Sequence, residues 1–284
     1  VAALTAQATV ALSFRAEGDL LEWIDTLAPD ETGALAFERV GEGPVGAVFV
    51  ERNRVCWAAA EGLARRLVDL LREDAALRAD RGTVESLFRR ARDEHRPFGE
   101  LLVSSGLVSA TAFRDALQRH TAESIAQLVR DRAVARWAPR SGGYSARFSF
   151  RTTDLLVAHH AIERPEQAFT AQASLLQVVG EDEVALALIR EPGEARARVV
   201  ALRGAFEGGV VELQQLAAWA IGLGDVGDAI SGRARAVIAR DDTGRSVAVW
   251  REHELIVVAW VGHDGLARII RRRSAARTAP QGDG

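Results

Sequence analysis

The chain has 284 residues and contains no Lys, no Met and a single Asn, Asn53; all 36 of its basic residues are Arg. Such usage looks like a genome with strong codon bias. The missing Lys has a chemical consequence, because the phosphate-binding loop G-x-x-x-x-G-K cannot be written without it. Cysteine is nearly absent. Cys56 stands alone, so no internal disulfide can form, which fits a reducing compartment such as the cytoplasm. Its setting, RNRVCWAA, is apolar and strand-like, the surroundings of a buried structural thiol rather than a reactive one. No run of 18 apolar residues occurs, so no membrane-spanning helix is expected. The opening stretch VAALTAQATVALSF is small and apolar but lacks a basic segment, and is not read as a signal peptide. No G-x-S-x-G is present, and the six His are scattered without paired Cys or His at ligand spacing.

What is present is ordinary for a globular protein: 48% apolar and 26% charged residues, with a net charge of -3. At roughly 150 residues per domain the length suggests two domains. The slightly acidic balance argues mildly against a dedicated nucleic-acid-binding chain.

In the first half, EGDLLEWIDTLAP puts Leu20, Leu21, Trp23, Ile24 and Leu27 on one helical stripe ended by Pro29. GALAFERV alternates as a strand around Leu35 and Phe37. GPVGAVFVERNRVCWAAA reads as a hairpin of strands 45–50 and 55–59, turning through Glu51, Arg52, Asn53 and Arg54; Asn tolerates positive φ. A helix follows with Leu63, Leu67, Leu70 and Leu71, then another near Thr83 as cap, carrying Val84, Leu87 and Phe88. In FGELLVSSGLVSATAFRDALQRH, Leu101 and Leu102 sit on a short helix that Gly106 ends, and Ser109 caps a longer one with Phe113, Leu117, His120, Ile125, Leu128 and Val129. GGYSARFSF, with Tyr144, Ala146, Phe148 and Phe150, reads as a closing strand.

Two helices joined by a tight turn suggest DNA binding. A recognition helix, however, needs basic and amide groups toward bases and phosphates. From Phe98 to Val129 the charged residues are Glu100, Arg114, Asp115, Arg119 and Glu123, and Asp115 would repel phosphate. The better expectation is a protein-binding face, with Arg114, Gln118 and Arg119 as its candidate partner-binding residues.

TGALAFERVGEGPVGAVFVERNRVCWAAAEGLARRLVDLL resembles the PATAN domain of bacterial response-regulator and gliding-motility proteins. FGELLVSSGLVSATAFRDALQRH resembles the G-E-L-L-V-x-x-G-L helical unit found beside such domains and in the N-terminal region of type II secretion and pilus ATPases. The resemblance spans residues 13–155, with the helical pair at 98–130, and implies protein-protein contact rather than catalysis. Asn53 stands where the family turn usually has Gly.

VAHHAIERPEQAF is polar, and residues 156–165 read as a linker between the halves. His159, His160 and Glu163 invite a metal reading, but adjacent histidines point apart. Beyond it, Pro165 opens a helix with Phe169, Ala173, Leu176 and Val179; EVALALIREPGEARARVVALRG is a hairpin turning at Glu191, Pro192 and Gly193; a long helix carries Val210, Leu213, Leu216, Ala217, Ala220 and Ile221. ARAVIARDDTGRSVAVWREHELIVVAWVG gives three strands, and a last helix starts at Asp264. The order is α-β-β-α-β-β-β-α, for which the simplest build is one five-stranded antiparallel sheet with helices on its faces. The G-x-G-x-x-G at Gly222, Gly224 and Gly227 follows a helix rather than a strand, so it is read as accidental.

This second half, residues 166–274, resembles the Roadblock/dynein-light-chain domain, most specifically in RARAVIARDDTGRSVAVWREHELIVVAWVGHDGLARIIRRR; Ala267 stands where Gly is common. The remaining residues, 275–284, are expected to be a flexible tail. The resemblance implies homodimerisation through the long helix and the strand after it, which points to Leu213, Leu216, Ala217, Trp219, Ala220, Ala236, Val237 and Ile238 as dimer interface. The chain is thus expected to be α+β and not an enzyme, with no catalytic, cofactor-binding or metal-binding residue. The first functional expectation is a cytoplasmic bacterial signalling adaptor that homodimerises and binds or regulates a Ras-like small GTPase. The second is a scaffold without GTPase contact for a response-regulator, motility or secretion complex. The third is a DNA-binding regulator using residues 98–150.

Overall fold

A computed structural model of the chain describes residues 11–39, 41–73, 77, 79–94, 96–144, 147–180, 183–190, 197–231, 236–240 and 245–278. The chain divides into two compact units, residues 1–155 and 156–284. Each is α+β and is built on a five-stranded antiparallel sheet.

In the first unit, β1 (Ala11–Leu12) leads to α1 (Glu17–Asp25). The Asp19 carboxylate accepts from the Ala16 amide at 3.1 Å and closes the helix start, while Leu20, Leu21 and Ile24 are buried. β2 (Thr32–Arg39), β3 (Gly43–Glu51) and β4 (Arg54–Ala60) form consecutive hairpins. The β3–β4 turn holds Arg52 at φ 53° and Asn53 at φ 56°, the two successive positive values of a type I′ turn. Asn53 Nδ2 donates to the Leu27 carbonyl at 3.0 Å, tying the turn to the end of α1.

α2 (Leu67–Glu73) starts after Leu63, which lies outside it. α3 (Arg81–Asp93) is capped by Asp80, whose carboxylate accepts from the Thr83 amide at 2.8 Å; Thr83 is therefore inside the helix, not its cap. α4 (Phe98–Ser104) ends before Gly106 at φ 70°, and the Ser109 hydroxyl accepts from Ala112 N at 3.1 Å to open α5 (Ala110–Arg130). α5 is the central element. It packs on β3, β4, α1, α2 and α4, and buries Phe113, Leu117, Ile125, Leu128 and Val129.

The strand expected at GGYSARFSF is not the one that completes the sheet. Tyr144 and Phe148 lie outside strands, Ala146 is outside the described residues, and Phe150 makes one bridge, to Val55. The fifth strand is β5 (Val134–Pro139), just beyond the helical pair expected over residues 98–130, where no strand was expected; it lies between β1 and β2. The helix stops because Arg132 takes φ 51° and reverses the chain, a left-handed turn that no Gly or Asn announces. Trp137 on β5 then meets Trp23 edge-on at 5.6 Å, and its indole N–H donates to Glu31 at 2.8 Å.

Residues 156–163 are helical rather than an open linker: they belong to α6 (Thr152–Glu163), which buries Leu155 and Leu156. After Arg164, Pro165 occupies the first turn of α7 (Pro165–Leu176). β6 (Val184–Ile189), β7 (Arg198–Arg203), α8 (Val210–Ser231), β8 (Val237–Arg240), β9 (Ser246–Glu252), β10 (Leu255–Val261) and α9 (His263–Thr278) complete the second unit. Its strand order is β7-β6-β10-β9-β8. The expected turns at Glu191–Gly193 and at residues 241–244 are outside the described residues. Residues 275–278 of the expected tail are helical, as the end of α9.

α7 and α9 cover one face of this sheet over Ala187, Val257, Ala259 and Trp250, and α8 contacts β8, β9 and β10. The α7–α9 core contains no α8 residue, and Leu188, Val249, Ile256 and Val258, which alternate with its strand residues, are also buried. α8 therefore covers the other face. Covering on both sides is why LALI and LIVVA run apolar without alternation. Of the stripe expected to bury α7, Val179, just past the helix end, is buried, but within the helix the inward face is a different one. Ala171, Ser174 and Leu175 are inside, whereas Phe169 and Leu176 are exposed. Ser174 is tolerated there because its hydroxyl donates to Glu252 at 3.0 Å, and Glu252 also pairs with Arg272 of α9 and accepts from the Trp250 indole at 3.2 Å.

Candidate functional site

Among the residues expected at a dimer interface, three are structural. Leu213, Ala217 and Ala220 are buried beneath α8, in the interior of the second unit. Leu216 and Ala236 are half-buried, and Ala236 packs against the α7–α9 core. Trp219 and Val226 reach the surface of α8, with 44% and 55% of their area exposed. Being seven apart, they share one face of the helix. Val226 carried no prior signal, since a helix this apolar gives no clear polar face.

Among the described residues β8 pairs with β9 alone and is the edge of the sheet. Val237 lies opposite Val249 and Ile238 opposite Ala248. Since Ala248 belongs to the α7–α9 core, Ile238 points to that side of the sheet, where it is 48% exposed. This edge thus carries exposed apolar area at Ile238, on the α7–α9 side of the sheet, and Trp219 and Val226 add exposed apolar area on the outer face of α8, which packs on the other side. Edges of this kind invite pairing with another strand.

The candidate partner-binding residues of the first unit turn out to be engaged with their own chain. Arg114 lies over the Phe150 ring at 5.4 Å, Gln118 donates to the Asp154 carbonyl at 2.9 Å, and Arg119 is partly buried. Each of the three also keeps part of its surface exposed.

The first unit instead contains a cavity of about 1030 Å³, at the upper end of the usual range for small-molecule sites. Its walls come from β3 and β4 (Phe49, Trp57), α3 (Val84, Phe88), α4 (Phe98), α5 (Phe113, Leu117, His120) and the segment after β5 (Arg140, Tyr144, Arg147, Phe148). Phe49 and Trp57 stack at 5.6 Å as cross-strand partners, and Tyr144 meets Phe49 edge-on at 5.4 Å. Gly99 makes the α4 wall possible: a Cβ there would fall 2.1 Å from the Phe113 ring, so only glycine lets α4 approach α5. That is the local meaning of the Gly in FGELL.

Cys56 also borders the cavity. Burial above all, then the Glu51 charge, pushes its thiol up to about 11, so it stays protonated at neutral pH and is no nucleophile. His120 is 7% exposed; burial lowers its pKa and holds it neutral, and its Nδ1 has no hydrogen-bond partner among the described residues. The other noted histidines lie in α6. His160 Nδ1 is 3.2 Å from the Val199 carbonyl, and His159 Nε2 is 3.7 Å from Glu163. Each has a structural partner, and no group of three metal-ligating side chains converges among the described residues.

Comparison with known proteins returns no match, whether to a protein-family model, a curated protein or a solved structure.

Proposed function

We propose that this chain is a signalling adaptor of bacterial type. Two copies pair through the second unit, and the pair binds or regulates a Ras-like small GTPase. The observation that carries the self-pairing is the open β8 edge with Ile238 exposed on one side and Trp219 and Val226 on the neighbouring helix. Edge-to-edge pairing of β8 with its copy would satisfy the outer backbone groups of both strands and continue the sheet. The flanking side chains would then be buried symmetrically, as a two-fold interface requires. The GTPase as partner rests on the resemblance of RARAVIARDDTGRSVAVWREHELIVVAWVGHDGLARIIRRR to Roadblock-type domains. The apolar Phe169 and Leu176 on α7 remain as surface for that partner. The burial of α5 and the internal commitments of Arg114 and Gln118 weigh against the DNA reading, because a recognition helix must stand free to enter a groove.

The test has two arms. Analytical ultracentrifugation should show a dimer that Ile238→Arg converts to a folded monomer, while Phe169→Ser leaves it paired. A dimer unaffected by both Ile238→Arg and Trp219→Ser would place the interface elsewhere. For the partner, the tagged chain is incubated in native lysate with GDP or a non-hydrolysable GTP analogue. Enrichment of a small GTPase in one nucleotide state supports the regulator. Equal recovery of other signalling proteins in both samples, with no GTPase, favours the plain scaffold.

A further inference from the structure

We propose that the cavity of the first unit is a binding site for an amphipathic organic anion, a molecule with an apolar body and a single acid head such as a long-chain carboxylate. Three observations converge on this chemistry.

The first is the lining. The walls are aromatic and aliphatic, and two of their large side chains remain open to solvent: Phe88 is 58% and Trp57 43% exposed. Exposed apolar area costs about 25 cal/mol per Å², so an apolar ligand that covers both rings gains from its own burial and from theirs. The second is charge. Four Arg line the cavity, Arg66, Arg89, Arg140 and Arg147, against two acids, Glu85 and Glu100. None of the four Arg is paired with a carboxylate among the described residues. An excess of unpaired guanidinium groups beside an apolar hollow favours an acid head and repels a base. The third is placement. Arg140 lies 4.6 Å over the Tyr144 ring and Arg147 5.5 Å over the Phe148 ring, so both guanidinium groups are held by aromatic faces that also form the wall. Head and body contacts therefore come from Arg140, Tyr144, Arg147 and Phe148, close together in the chain. His120 adds a neutral imidazole to the wall, which keeps that part of the hollow free of charge.

This site lies wholly in the first unit, so it stands or falls separately from dimerisation through the second. It would give the adaptor a small-molecule input.

The experiment uses the full chain and 1-anilinonaphthalene-8-sulfonate, an aromatic acid whose fluorescence rises in apolar surroundings. One saturable site per chain is expected, with oleate displacing the dye and oleyl alcohol and oleylamine doing so about tenfold less well or worse, equivalent to about 1.4 kcal/mol. Arg140→Gln with Arg147→Gln changes only exposed side chains and should weaken oleate by about tenfold while circular dichroism and melting stay unchanged. Phe88→Glu, also at an exposed position, should abolish binding. Lack of saturation, equal displacement by acid, alcohol and amine, or undiminished oleate affinity in the folded arginine variant would each overturn the proposal.

Discussion

His160 makes the pH response of the second unit calculable. A carbonyl can only accept, so Nδ1 of the imidazole carries the hydrogen and donates to Val199 at 3.2 Å. Burial, reinforced by the neighbouring His159, depresses the pKa from 6.5 to about 4; the Val199 bond and Glu163 offset only part of this, and Arg198 adds to the depression. The folded state thus holds the ring neutral where the unfolded chain would protonate it. The contribution is complete above about pH 6.5, declines as pH falls toward 4, and is spent below that. At 1.36 kcal/mol per pKa unit, the gap is worth about 3 kcal/mol, of which about 2 is lost by pH 5. His160→Gln retains an amide that can donate to the same carbonyl but does not titrate. Urea unfolding at pH 7, 6, 5 and 4 should therefore show the stability of the parent falling relative to the variant by about 3 kcal/mol over that range. A histidine-labelled NMR titration should show one resonance, missing in the variant, that titrates well below the ordinary 6.5 of an imidazole. Parallel pH curves for the two proteins, or a His160 resonance titrating near 6.5, would refute the reasoning.

Other consequences concern single contacts. Asn53→Ala removes the bond to Leu27 and places an Ala at φ 56°, so it should cost about 1–3 kcal/mol in urea unfolding. Arg52→Gly, at φ 53° in the same turn, should be neutral or stabilising by up to about 1 kcal/mol. A loss on Arg52→Gly would mean that this arginine is held by more than turn geometry. Glu252→Ala leaves Ser174, the Trp250 indole and Arg272 without their shared acceptor and should destabilise the second unit by about 1–3 kcal/mol, visible as a lowered melting transition; an unchanged transition would mean that water replaces the carboxylate.

The parts of the fold legible in the sequence are those set by contacts a few residues apart. The β3–β4 turn could be read because Asn53 tolerates positive φ, the α4–α5 junction because Gly106 and Ser109 carry their own stop and start chemistry, and α7 because Pro165 suits a first turn. The order α-β-β-α-β-β-β-α of the second unit followed from turn residues between apolar runs in the same way. Where the deciding interaction is distant, local pattern failed. β5 was hidden because a left-handed Arg, which no composition marks, ends α5, and because its partner β2 lies about a hundred residues earlier. The outward stripe of α7 was misassigned because apolar residues occupy both of its faces, and only the Glu252 cluster selects the side that holds Ser174.

The same division holds for function. By itself the sequence determined two α+β halves, a single cysteine, and an apolar strand after the long helix, because composition and short-range spacing are sufficient for each. Tertiary packing alone decided that Leu213, Ala217 and Ala220 are core while Trp219, Val226 and Ile238 are surface, since burial depends on which sheet face lies beneath a helix. Packing also brought Phe49, Phe88, Phe113 and Arg147 around one hollow from segments far apart in the chain, a juxtaposition that no local pattern encodes.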